Sequence, residues 1–144
     1  MQGFTAKGNW INGERSSFIL VDIITSKSIL LCSNSYNNGF EQIGKFFFNP
    51  IALQYGEQLL RNNTETKKLI VIDEIGPFEL KNKIWDKPLL AQLTDTNNLM
   101  LLIVRNNLVS EVINKYKLNN FIIHELYSKD ETIINDIKKE LIEE

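Results

Sequence analysis

LIVIDEIGPFEL, residues 69–80, is the stretch whose reading decides the fold. Leu69 to Ile72 form an apolar run without alternation, as expected of a strand covered on both faces. The run delivers Asp73 and Glu74 to the strand's carboxyl end, and Gly76 and Pro77 then turn the chain. Two runs of the same kind follow, LMLLIV (99–104) and FIIHEL (121–126). Segments of helical spacing separate or follow them: the stretch around PLLAQL, then LVSEVINKYK, and TIINDIKKELIEE behind a capping box from Ser128 to Glu131. Strands alternating with helices imply right-handed crossovers and a parallel sheet.

The first third has a different character. GFTAK, FILVDIIT and SILLCS read as strands, the last two joined at Ser26-Lys27 as an antiparallel hairpin. Asn49 can cap, and Pro50 can open, a helix over IALQYGEQLLRN, with Ile51, Tyr55 and Leu59 on one face. The expected architecture is a single domain over residues 1–144, a three-layer α/β fold with a mostly parallel sheet and an antiparallel hairpin near the N-terminus.

Composition narrows the function classes. With 43% hydrophobic and 24% charged residues, the 144-residue chain can bury a proper core without staples. A net charge of −2 offers no broad basic face for nucleic acid. No apolar segment approaches the ~20 residues needed to span a bilayer, and the start lacks a signal-peptide core, so a cytoplasmic protein is expected. The single cysteine, Cys32, lies in the apolar run ILLCS and reads as a buried small hydrophobe. His124 has no neighbouring ligands and is assigned no metal, while Trp10 and Trp85 are assigned to packing.

GFEQIGKF, residues 39–46, satisfies G-x-x-x-x-G-K but has Phe46 where a phosphate loop requires Ser or Thr. A phosphate loop joins a buried strand to a helix N-terminus. Here polar SNSYNN precedes the motif and Phe46–Phe48 follow it, so it reads as a loop entering a half-buried strand. The acidic pair carries the stronger chemical signal. An Asp at the carboxyl rim of a central strand can hold Mg²⁺, and the adjacent Glu, pointing to the other side, can reach a water attacking a γ-phosphate.

LIVIDEIGPFEL resembles the Walker B segment of the cancer-related, thermophile-type nucleoside-triphosphatase family, RecA-like P-loop proteins that hydrolyse ATP, GTP and other nucleotides with Mg²⁺. Gly3-Phe4 followed by a strand, FILVDI, IGKFFFNPIAL and a later strand ending in Arg105 resemble that family in the same order. The resemblance implies that Asp73 assists Mg²⁺, that Glu74 polarises the hydrolytic water, and that Arg105 meets charge on the phosphates, with Val104 where the family often has His. Glu79 matches a family position for which no role follows. The family's first strand and Walker A loop would precede Gly3-Phe4 and are not among these residues. The resemblance therefore implies a partner: a P-loop-containing polypeptide completes a nucleoside-triphosphatase whose sheet otherwise has an empty internal slot. A catalytically inactive binding or scaffold protein closed by self-association, or part of a longer nucleoside-triphosphatase, is the alternative.

Overall fold

The computed structural model describes residues 1–61, 68–95, 97–126 and 131–142. Seven strands form one sheet: β1 (Gln2–Ile11), β2 (Glu14–Asp22), β3 (Ser28–Ser33), β4 (Glu41–Ile43), β5 (Phe46–Phe48), β6 (Leu69–Ile75) and β7 (Leu99–Val104). Their spatial order is β4-β5-β3-β2-β1-β6-β7. The expected mostly parallel pairing holds for β1–β6 and β6–β7, whereas every pairing from β1 out to β4 is antiparallel. The cause is local. Asn12 and Gly13, both at positive φ, make the two-residue turn that folds β1 back onto β2. The polar stretch 8–17 is thus strand on both sides of that turn.

Five helices accompany the sheet: α1 (Pro50–Arg61), α2 (Pro77–Leu80), α3 (Asp86–Leu93), α4 (Val109–Tyr116), entered through a 3₁₀ turn at Asn106–Leu108, and α5 (Glu131–Ile142). The capping box from Ser128 to Glu131 lies outside the described residues. Asn49 caps α1 as expected, its side-chain oxygen accepting from the Ile51 N–H at 3.1 Å. The buried face of α1, however, is Ala52, Gly56 and Leu60, and Ile51 is exposed. The reason is close approach: a Cβ on Gly56 would lie 2.4 Å from the Trp85 ring. Small residues let that indole sit between helix and sheet, where it also meets Phe4 at 4.7 Å between ring centroids. Trp85 is therefore core, as expected, whereas Trp10 is exposed.

One buried cluster joins Phe4, Leu20, Cys32, Ile70, Ile72, Leu60, Leu89 and Val112. Gly3 fixes the junction between the two sheet halves, with φ +120° and an added Cβ only 1.9 Å from the Val71 carbonyl oxygen. No side chain larger than hydrogen fits there. At the far end FIIHEL is not a strand: residues 121–126 have no regular structure, and Phe121, Ile122, Ile123 and Leu126 are exposed. A strand needs an edge to pair with, and composition does not supply one. Among the described residues the seven-stranded sheet is continuous, without the expected internal slot, and β7 lies at its edge. Among the described residues no helix is long and apolar enough to cross a membrane.

Candidate functional site

β6 ends where its pairing becomes irregular. Asp73 pairs with Ile103 of β7 and Ile75 with Val104, leaving Glu74 out of the ladder. Such bulges re-aim side chains at sheet rims. Arg105, the first residue after β7, meets the re-aimed carboxylate: Nε and Nη2 both donate to Glu74 Oε1, at 3.0 and 2.7 Å. Two residues that the resemblance assigns to one site, 31 positions apart in the sequence, are therefore in direct contact. Both side chains are substantially exposed, so the pair contributes at most about 1 kcal/mol to folding. Its importance is positional. Glu74 Oε2 has no hydrogen-bond partner among the described residues.

Asp73 is half-buried behind this pair. Burial raises its pKa above the ordinary carboxylate value, an N–H of Ala6 opposes that rise, and the Glu74 charge adds to it. Among the described residues no group of three His, Cys, Asp or Glu side chains could hold a metal ion by itself. Asp73 fits Mg²⁺ in the way that ion is commonly held, by one or two carboxylates with water and phosphate oxygens completing the shell. A dication would relieve both the desolvation and the Glu74 repulsion.

Glu79, which had no derived role, proves to be a structural anchor for the turn after Glu74. It is buried, and its Oε2 accepts the Gly76 N–H at 2.9 Å, while Oε1 accepts the Trp85 N–H at 3.4 Å. One carboxyl group thus clasps both ends of the 76–85 segment. Burial is the main cause that pushes its pKa up to about 7. Lys115 of α4 closes the same corner, pairing with Asp86 at 2.8 Å and donating to the Glu79 carbonyl. Asp86 also accepts from the Tyr116 hydroxyl at 2.8 Å.

A cleft of about 330 Å³ opens beside Glu74 and Arg105. Glu79 and Trp85 line its inner end, and Lys45 and Arg15 reach it from the antiparallel part of the sheet. Asp73, still paired with Ile103 in the ladder, does not line it, whereas the bulged Glu74 does. The GFEQIGKF motif is the β4–β5 hairpin, with Gly44 at positive φ in its turn. It joins strand to strand and aims no row of N–H groups from a helix end, which removes it as a phosphate cradle. His124 pairs with Asp136 of α5 at 3.2 Å and stands apart from this site.

The comparisons with known proteins follow the same lines. The chain is similar to the solution structure of a human cancer-related nucleoside triphosphatase, with TM-score 0.63 and 19% identity, over 99% of this chain and 82% of that one. It is also similar to the crystal structure of THEP1 from the hyperthermophile Aquifex aeolicus, with TM-score 0.67 and 21% identity, over 98% and 83% respectively. The fold is thus an α/β fold of the P-loop NTPase kind. A family model described as NTPase matches residues 1–140, and the chain belongs to that family. No curated protein matches it in sequence.

Proposed function

We propose that this chain is the Walker B-bearing part of a nucleoside-triphosphatase that hydrolyses ATP or GTP with Mg²⁺, and that the phosphate-gripping loop comes from a polypeptide segment outside these 144 residues. The observation that carries the reading is the contact of Glu74 with Arg105 at the carboxyl rim of β6, with Asp73 directly behind it. Ligand sites of open α/β sheets lie at that rim. Asp73 would hold Mg²⁺, which when bound neutralises phosphate charge and orients the transferring group. Glu74 keeps Oε2 free to polarise an attacking water while Oε1 rests on Arg105. A triphosphate arriving at the rim competes for the guanidinium, and Arg105 then meets the charge that develops on the phosphates.

A partner strand is supported by two features that share one remedy. Among the described residues the outer edge of β7 carries no pairing strand, and the apolar segment 121–126 is exposed and irregular. A right-handed crossover through α4 would return that segment parallel to β7 on its outer side. A strand inserted between them would pair both and cover Phe121 and Ile122. The link from β7 to α4 at Arg105–Leu108 contains no glycine, so it cannot itself serve as the glycine-rich loop.

The test is co-expression with neighbouring genes, followed by identification of any P-loop polypeptide that co-purifies and by measurement of Mg²⁺-dependent ATP and GTP hydrolysis. The expected result is a complex whose turnover falls at least ~100-fold in Glu74→Gln, the usual scale for losing a group that handles a proton at the reacting water. An unchanged rate in that variant would refute the assignment. A complex that binds no Mg²⁺-nucleotide under any pairing would establish the scaffold reading instead.

A further inference from the structure

Glu79 takes no part in the chemistry proposed above, yet it is only 3% exposed. A carboxyl group that reaches back to the N–H at the start of its own helix is an ordinary cap. Glu is rarely buried so completely for that purpose. Here the capped helix, α2, is a single turn of four residues, which gains little from a cap. The burial is costly, as the rise of the Glu79 pKa to about 7 records. What the carboxyl does besides capping is visible at Glu74.

A Cβ on Gly76 would lie 3.9 Å from Glu74 Oε1, so the Glu74 carboxylate sits over the backbone of the turn that follows it. Carboxylates take backbone N–H groups within their reach, because such charge-assisted bonds are roughly twice as strong as neutral ones. Residues 76 and 77 would ordinarily offer two. Neither is available here. Pro77 has no N–H, and that of Gly76 is engaged by Glu79 Oε2 at 2.9 Å. The other oxygen of Glu79 accepts the Trp85 N–H at 3.4 Å, and the Trp85 ring is held in the core between Gly56 and Phe4. Lys115 holds the same residue from α4 by donating to its carbonyl. Denied both backbone donors, Glu74 rests its Oε1 on Arg105.

We propose that Glu79 is a positioning residue for Glu74: by occupying the Gly76 N–H it keeps the Glu74 carboxylate on Arg105 and open to the reacting water, instead of folded onto its own turn. The proposal rests on the function proposed above only in making Glu74 the group that handles that water. The contact it explains belongs to the isolated chain. Two carboxylates compete for one N–H, and Glu79 prevails because Trp85 and Lys115 fix it from behind.

The experiment follows hydrogen exchange of arginine Nε–H groups by NMR in the ¹⁵N-labelled 144-residue chain. There are three arginines, Arg15, Arg61 and Arg105, and Arg105→Lys identifies the signal concerned, with the other two as internal references. The Arg105 Nε–H should exchange about five-fold more slowly than that of a free arginine, the scale of an exposed ion pair. Glu79→Leu should abolish this protection, because Glu74 then takes the released Gly76 N–H. Glu79→Gln, whose amide oxygen still accepts that N–H, should keep it. Lys115→Met removes the pair with Asp86 and the contact with the Glu79 carbonyl but leaves the carboxyl group in place, and should keep it too. The proposal is overturned by protection that is absent in the parent, persists in Glu79→Leu, is lost in Glu79→Gln, or is removed equally by Lys115→Met. Should Glu79→Leu not fold, Pro77→Ala at an exposed position decides: a second N–H beside Glu74 should lower the protection, and no change overturns the proposal. In the complemented assembly Glu79→Leu should lower kcat more than it changes KM. Absence of hydrolysis there would sink the enzymatic reading and leave the exchange result intact, whereas unchanged exchange sinks the positioning role even where Glu74→Gln abolishes turnover.

Discussion

Replacing Glu79 with Gln should reverse its effect on stability between acid and alkaline pH. The buried carboxyl titrates at about 7, raised from 4.5 first by burial and last by the Glu74 charge, against N–H donors that include Gly76 and Trp85. Between those two values the folded chain keeps a proton that the unfolded chain has released. Stability is therefore full below pH 4.5 and falls as pH rises through the folded value, by about 3 kcal/mol between the limits. Glu79→Gln removes that slope. It also replaces one of two acceptors with an amide donor facing an N–H, at a cost of about 1 kcal/mol. The variant should thus be about 1 kcal/mol less stable than the parent below about pH 4, about equal to it near pH 5 and about 2 kcal/mol more stable at pH 8. Urea unfolding followed by fluorescence of buried Trp85 at pH values from about 4 to 8 measures the difference, and Asp73 cancels because it is common to both proteins. A difference that stays constant across that range would refute the argument that Glu79 is held protonated by burial.

Further perturbations test other parts of the structure. Gly3→Ala places a Cβ against the Val71 carbonyl at 1.9 Å and at φ +120°, so it should cost at least ~2 kcal/mol by separating β1 from β6; an unchanged urea midpoint would contradict this. Gly56→Ala should shift Trp85 off Phe4, cost ~1–3 kcal/mol as overpacking does, and alter the tryptophan emission. Cys32 is buried, with its thiol pushed up to about 12 by burial, and should react with an aromatic disulfide reagent only after urea unfolds the chain. Outward-facing amides of β7 should exchange with deuterium as fast as those of an edge in the isolated chain and become protected in a complex with a strand-donating partner; equal exchange in both states would argue against that docking position.

How far the sequence could be read depends on what each signal measures. Apolar runs and helical spacing report burial, and they located the parallel strands at 69–75 and 99–104 and the helices at 50–61, 86–93 and 109–116. They do not report close approach. Ile51, Tyr55 and Leu59 have the right spacing for a buried face, but the face that packs contains Gly56 because the Trp85 ring needs the room. Nor do they report pairing. FIIHEL has a strand's composition, but hydrogen bonding depends on a neighbour elsewhere. Asn12-Gly13 was the available signal that the N-terminal half is a ladder of antiparallel strands, since that dipeptide favours the backbone of a tight hairpin.

The site shows the same division between chemistry that lies within one segment and chemistry that is assembled. Asp73 and Glu74 stood out in the sequence at a strand end and Arg105 only through the resemblance, and the geometry places Glu74 against Arg105 across the rim. Arg15 and Lys45 were not legible as a pair. They are 30 positions apart in the sequence, and they meet only because Phe18 and Phe46 pack edge to face and Gly8 leaves a gap for a guanidinium. An unpaired charge has no signature in sequence, for pairing is a property of space. It becomes visible only when the carboxylates that line the cleft, and Asp86 beside them, are seen to be engaged elsewhere: Glu74 with Arg105, Glu79 with the N–H groups of Gly76 and Trp85, and Asp86 with Lys115 and Tyr116. None of these acids pairs with Arg15 or Lys45, whose charges rest instead against the rings of Trp10, Phe18 and Phe46.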